Sequence, residues 1–298
     1  MKIDLHIHSK NGSDGKWTLE EIFSEASRRE IDVMSITDHD AIHCQDEAIA
    51  RAGRYGIAYI PGVELNVTFS HRAYKEGKGI SLDFLGYGYD IHDKPLLDKL
   101  QTLRNFREKR AREILENINR EFQKEGRRAF TDRDMEAIQA RVDGAFGRPH
   151  IANYLIAQGI VRDKREAFEK YLVRCNVPKM PLGLEEASGL IRGAGGRLVL
   201  AHPNDPNGTS LASFTPSVAD QHDIIRDAML PYIDGVECWH SRHSANTIEA
   251  YRAFARREGL MVTGGSDCHQ QPVMMGTAKV PDYVAGQFDL GKKAGPKG

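Results

Sequence analysis

Apolar residues fill a short stretch at the start of the chain, and a strand is predicted from Lys2 to Ile7. His6 and His8 sit at alternate positions of it, so both imidazoles leave by one face. A turn rich in Gly, Ser and Asp follows and carries Asp14 back toward them. The stretch "TLEEIFSEASRRE" has helical spacing, with Thr18 as N-cap and Glu21 completing a capping box. "IDVMSIT" reads as a strand ending at "DHD", and "HCQDEAIARAGRYG" as a helix stopped by Gly56. "IAYIPGVEL" reads as the next strand. Strand–helix–strand alternation with short turns predicts a parallel α/β architecture.

From about 94 to 187 the period becomes almost wholly helical. In "LLDKLQTLRNFREKRAREILENINREF" the residues Leu96, Leu100, Leu103, Ile114, Ile118 and Phe122 recur near helical spacing. "TDRDMEAIQARV", capped by Thr131, and "DKREAFEKYL", capped by Asp163, are further helices. The alternation then returns with helix "EEASGLIRGAGG", strands "RLVLAHP" and "DGVECWH", helix "ANTIEAYRAFARREG" and strand "LMVTGGSDCH". The expected organisation is one discontinuous α/β domain, 1–93 and 188–290, interrupted by a helical domain, 94–187. A disordered tail is expected over 291–298.

Composition narrows the classes. A formal net charge of −1 gives no global field for nucleic acid or an anionic membrane. No segment reads as a transmembrane helix or a signal peptide. The four cysteines, Cys44, Cys175, Cys238 and Cys268, form no C-x-x-C pair, so a reduced, cytoplasmic protein is expected.

The predicted α/β strands end in ionisable residues: His6 and His8; Asp38 and His39; Glu64; His202; Glu237; Asp267 and His269. In a parallel barrel such ends share one face, where active sites are built. Imidazoles with carboxylates suit divalent transition metals, and this many exceed the four ligands of one tetrahedral zinc. Two or three ions are expected. Ions spaced about 3.5–4 Å apart suit in-line displacement at phosphorus.

The motifs "DLHIHS", "SDG", "ITDHD", "PGVEL", "LAHP" and "GSDCH", in this order, resemble those of PHP (polymerase and histidinol phosphatase) metal-dependent phosphoesterases. The helical insertion is similar to that of stand-alone members acting on nucleotides, among them 3′,5′-nucleoside bisphosphate phosphatases and short-RNA exonucleases. The resemblance implies a distorted (β/α)7 barrel with the inserted helical domain capping the active site. It implies metal ligation by His6, His8, Asp14, His39, Glu64, His202, Asp267 and His269, with manganese ahead of iron or zinc. Two departures stand out. "HSKNGSDG" is one residue longer than the commonest family turn, and "LDFLGYGYD" puts Asp83 where a histidine ligand is expected. Asp83 is expected to take that ligand position. "FGRPHIANYL" implies phosphate-holding roles for Arg148 and His150, and "ECWHSRHS" a place for His243 near the phosphate or leaving group.

The implied activity is metal-dependent hydrolysis of a phosphate monoester of a nucleotide or similar small molecule, by attack of a metal-bridging hydroxide on phosphorus. No long nucleic acid is expected as a partner. Histidinol-phosphate or cyclic-phosphate hydrolysis on the same fold is an alternative. A non-catalytic metal-holding accessory module is another.

Overall fold

The structure, a computed structural model, describes residues 1–139, 147–288 and 290. The tail expected over 291–298 lies outside the described residues, as do the last residues of the helix expected over 131–142. The chain divides into two compact units, Met1–Leu97 with Pro181–Gly298, and Asp98–Met180. No helix among the described residues is long and apolar enough to cross a membrane.

The first unit holds two sheets. β1 (Ile3–Ile7), β2 (Val33–Ile36) and β3 (Ala58–Tyr59) form a parallel sheet in that order. The second sheet runs β4 (Gly62–Phe69), β5 (Ile80–Tyr87), β6 (Arg197–Leu200), β7 (Gly235–His240), β8 (Met261–Gly265). The expected (β/α)7 barrel does not form: neither sheet is closed into a barrel or strongly curled. Two features explain the difference. First, "IAYIPGVEL" is two strands, not one. Pro61 has no N–H to continue a ladder, and the chain passes there from one sheet to the other. Second, no α-helix separates β4 from β5, only a short 3-10 turn at Lys75–Gly77. They pair antiparallel from Gly62↔Tyr87 to Phe69↔Ile80, and β5 also pairs antiparallel with β6. A parallel barrel needs a helical crossover after each strand, and here that repeat is broken.

Local signals behave as the sequence reading has them elsewhere. α1 (Leu19–Arg28) starts with the Thr18–Glu21 capping box, and α2 (Gln45–Tyr55) ends on Gly56 in the left-handed conformation. Apolar faces of α1 and α2, including Ile22, Phe23 and Ala48, pack with Ile7, Met34 and Ile36. The second unit is helical and contains most of α3 (Lys94–Lys124), with α4 (Asp132–Gln139), α5 (Arg148–Ala157) and α6 (Lys164–Ala167). Asp163 caps α6 by accepting from the Glu166 amide. Ile114, Ile118, Phe122, Ile138, Leu155 and Tyr171 belong to this unit's core. The first unit continues with α7 (Leu184–Gly193), α8 (Val218–Ala228) and α9 (Ala245–Glu258).

What positions the site is the meeting of the two sheets. Isolated bridges join Ile7 to Cys268 and His39 to Glu64. The His8 amide donates to Cys268 O at 3.1 Å and the Asp40 amide to Glu64 O at 2.8 Å. Gly265 makes the approach of β8 to β1 close: a Cβ there would collide with Cβ and the backbone N of His6. Gly265→Ala is therefore expected to destabilise the protein by about 1–3 kcal/mol through overpacking and to weaken metal binding through His6. Urea unfolding and metal titration check this, and wild-type values in both would contradict the close approach.

Candidate metal centre

β1 places Asp4 and His6 on one face, and His8, the residue after it, continues that alternation. Asp4 accepts from the amide and hydroxyl of Ser266 at 2.8 and 2.6 Å and from the Gly276 amide at 2.7 Å. It thereby ties the segment after β8 to β1. His6, His8 and Glu64 are buried. Glu64 Oε2 faces His6 Nε2 at 3.3 Å, His8 Nε2 at 3.2 Å and His39 Nδ1 at 3.2 Å. Its Oε1 lies 3.0 Å from His202 Nε2. Asp267 Oδ1 faces His8 Nε2 at 3.2 Å, and His6 Nε2 and His269 Nδ1 at 3.5 Å. Asp14 Oδ1 reaches His269 Nε2 at 3.1 Å and His39 Nε2 at 3.8 Å.

Among the described residues four overlapping groups result, each with ligand atoms within 4.8 Å of one another: His8, Asp14, His39 and His269; His6, His8, Glu64 and Asp267; Glu64, Asp83 and His202; Asp205, His240 and Asp267. Asp83 stands on β5, and its Oδ1 accepts from Asn66 Nδ2 at 2.6 Å. His202 and Asp267 hold φ values of 24° and 53°, in a region that L-residues rarely adopt. Backbone strain of this kind persists only where the surroundings enforce it, and here two members of the cluster carry it.

Hydrogen bonds set the imidazole tautomers. Ser13 Oγ donates to Asp38 Oδ1 at 2.6 Å, so its oxygen is left to accept from His8 Nδ1 at 3.3 Å. Glu237 Oε1 lies 3.1 Å from His6 Nδ1. Both rings therefore keep a proton on Nδ1 and aim Nε2 at Glu64 and Asp267, so that Nε2 is the atom that becomes a ligand once its own proton is released. Asp38 is buried and also accepts from the amide and hydroxyl of Ser9 at 2.7 and 2.6 Å. It secures the turn that carries Asp14.

The residues fit a metal. His6 Nε2, His8 Nε2, Glu64 Oε2, Asp14 Oδ1 and His202 Nδ1 are buried atoms with no hydrogen-bond partner. Leaving so many polar atoms unpaired would cost about 1–3 kcal/mol each. Mixed imidazole nitrogen and carboxylate oxygen is the donor set of manganese, iron and zinc. Electrostatics agree. Burial disfavours a charged His8, but Asp267 and Glu64 outweigh it and raise its pKa to about 10. Burial likewise opposes charge on His202, and Glu64 lifts it to about 9. Burial works against ionised Glu64 and Asp267, yet the surrounding imidazoles hold both well below the usual carboxylate range.

All nine residues expected as ligands, His6, His8, Asp14, His39, Glu64, Asp83, His202, Asp267 and His269, fall within the four groups. Arg148, His150 and His243 do not. Arg148 opens α5 in the helical unit, with its guanidinium 5.4 Å from the centroid of the Phe168 ring. His150 Nδ1 accepts from the Gly147 amide at 3.1 Å. His243 donates from Nδ1 to Cys238 O at 2.9 Å and leaves Nε2 buried without a partner. Sequence reasoning gave no role to Asp205, His240 or Arg242. His240 ends β7, so the strand-end pattern could have flagged it; Asp205 lies in the loop after β6 and carries no such signal.

The PHP domain profile matches residues 4–173. The chain is 30% identical over 280 residues to a 3′,5′-nucleoside bisphosphate phosphatase of Chromobacterium violaceum, covering 90% of this chain and 87% of that one. It is 32% identical over 209 residues to a 5′-3′ exoribonuclease of Haemophilus influenzae, covering 68% and 69%. A solved structure from Bifidobacterium adolescentis, a candidate metal-dependent phosphoesterase, superposes with a TM-score of 0.74. It is 26% identical, over 96% of this chain and 95% of that one.

Metal ligands must shed their protons. Near pH 7 the metal-free protein holds protons on His8 and His202, since their pKa values are about 10 and about 9. Loading Mn²⁺ is expected to release protons, and apparent affinity to rise with pH until those rings are neutral without metal. Calorimetry in buffers of different ionisation heat reads the released protons directly, and none released near pH 7 would contradict this assignment.

Proposed function

The chain belongs to the PHP domain family, and on that premise we propose that it hydrolyses a phosphate monoester of a nucleotide or similar small molecule. The family match and the clustered donor groups support a metal-dependent phosphoesterase of the PHP type. The observation that carries the proposal is the sharing of Glu64. It belongs both to the group with His6, His8 and Asp267 and to the group with Asp83 and His202. His8 in turn belongs to the group with Asp14, His39 and His269. Donor groups with common members suit two or three adjacent divalent ions, manganese first. Such cations supply Lewis acidity at a phosphoryl oxygen and acidify water.

The chain's own residues do the rest. Glu237 and the Asp38–Ser13 pair keep His6 and His8 in the tautomer that presents Nε2. Asp83 brings an anionic oxygen where related phosphatases have a neutral imidazole. The added negative charge favours harder cations and offsets more of their charge. Burial holds His243 down at about 4, so near neutral pH its Nε2 carries a lone pair. It is assigned to accept a proton or hydrogen bond beside the reacting phosphate. Arg148 and His150, on the helical stretch 94–187, are assigned as phosphate contacts. A guanidinium grips two phosphate oxygens in a planar fork. The C. violaceum relative's name favours a 3′,5′-bisphosphate among the candidate substrates.

The test is a phosphate-release screen of the Mn²⁺-loaded protein over 3′,5′-bisphosphates, mononucleotides, cyclic phosphates, histidinol phosphate and a short 5′-phosphorylated RNA. A bisphosphate is expected to turn over fastest, with activity abolished by chelation. Arg148→Ala is expected to lower kcat/KM by about 1.5–3 kcal/mol while metal content stays that of wild type. Fastest turnover of another substrate would overturn the bisphosphate assignment, no turnover by fully loaded protein would favour the accessory-module reading, and wild-type kcat/KM in Arg148→Ala would remove Arg148 from the site.

A further inference from the structure

The fourth donor group, Asp205, His240 and Asp267, differs from the other three because a cation of the chain already stands in it. Asp205 is fully buried, His240 is 3% exposed and Asp267 8%. Arg242, two residues beyond His240, donates from Nε and Nη2 to Asp205 Oδ2 at 2.8 and 2.6 Å. The same Nη2 donates to Asp267 Oδ2 at 2.7 Å. One guanidinium thus bridges two buried carboxylates that would otherwise face each other with like charge. A buried anion without a counter-charge is strongly unfavourable, and the guanidinium supplies that charge with directed hydrogen bonds.

The backbone of the same residue acts on the third member. The Arg242 amide donates to His240 Nδ1 at 3.3 Å, which leaves the ring proton on Nε2. Nε2 is buried without a hydrogen-bond partner and lies 3.5 Å from Asp267 Oδ2. A metal on Nε2 would move the neutral ring's proton to Nδ1, where it would meet the Arg242 N–H. This is the reverse of His6 and His8, whose Nδ1 protons are drawn outward to Glu237 and Ser13, which leaves Nε2 as the atom able to ligate once deprotonated. Asp267 is consequently divided. Its Oδ1 faces His6, His8 and His269, while Oδ2 faces Arg242 and His240.

We propose that Arg242 is the resident cation of the fourth group. It stands where a further divalent ion would otherwise bind, and it holds Asp267 so that a single oxygen, Oδ1, is presented to the metals. The inference rests on the metal reading of the other three groups. It makes Arg242 a positioning residue, acting through Asp267.

Metal stoichiometry tests it, with Mn²⁺ counted by elemental analysis after equilibrium dialysis of the full chain. His240→Gln is expected to bind the wild-type number of ions, because that ring holds none. Arg242→Lys keeps the charge and is expected to keep the number. Arg242→Met leaves Asp205 and Asp267 without their cation and is expected to bind one additional equivalent, lost again in Arg242→Met with Asp205→Asn. Loss of an ion in His240→Gln would show that the group holds a metal and would overturn the proposal, even if Arg242→Met does not fold. A folded Arg242→Met with the wild-type number would overturn it as well. Wild-type protein that binds no Mn²⁺ would overturn the metal reading itself, and this inference with it.

Discussion

Glu64 and Asp267 are anions held out of water, and the organisation of the α/β unit follows from having to neutralise them. Between them they face His6, His8, His39, His202, His240, His269 and Arg242 within 2.7–3.5 Å. Removing carboxylates from water costs several kcal/mol apiece unless charge and hydrogen bonds compensate. Without metal, protons on imidazoles fill that role. Divalent ions would fill it better, since each would bring two charges and bind the buried donor atoms directly.

The surrounding structure keeps this cluster in place. The two sheets meet where the cluster forms, through the bridges at Cys268 and Glu64, and Gly265 lets β8 lie against His6. A ring of buried polar groups stands behind the inward-facing atoms: Asp4 on Ser266 and Gly276, Asp38 on Ser9 and Ser13, Glu237 on His6, and Asp205 on Arg242. Each fixes a backbone turn, a ring tautomer or a carboxylate's orientation. Precision at the centre depends on these outer hydrogen bonds as much as on the inward-facing residues.

Much of this was legible in the sequence because its signals are local. Alternation placed His6 and His8 on one face of β1. The Thr18–Glu21 capping box, the Gly56 stop and the Asp163 cap need only a few neighbouring residues. Sheet order was not legible, because strand pairing is decided by partners far along the chain. "IAYIPGVEL" has the apolar content of one strand, yet Pro61 divides it between two sheets, and β4 pairs with β5 instead of continuing a parallel repeat. Asp205, His240 and Arg242 were missed for a related reason. Their meeting depends on how the loop after β6 folds beside the end of β7, and the charges involved look like ordinary surface residues in one dimension. Glu64 was expected at a strand end, whereas it lies within β4, and it reaches the cluster with Asp83 of β5 through the antiparallel pairing of those strands.

The central claim is that buried carboxylates shared between donor groups hold adjacent metal ions. Anomalous diffraction from crystals of Mn²⁺-saturated protein, collected on both sides of the manganese edge, addresses it most directly. The account predicts at least two peaks flanking Glu64, one among His6, His8 and Asp267 and one beside Asp83 and His202. A single peak, or none, in fully loaded protein would contradict it.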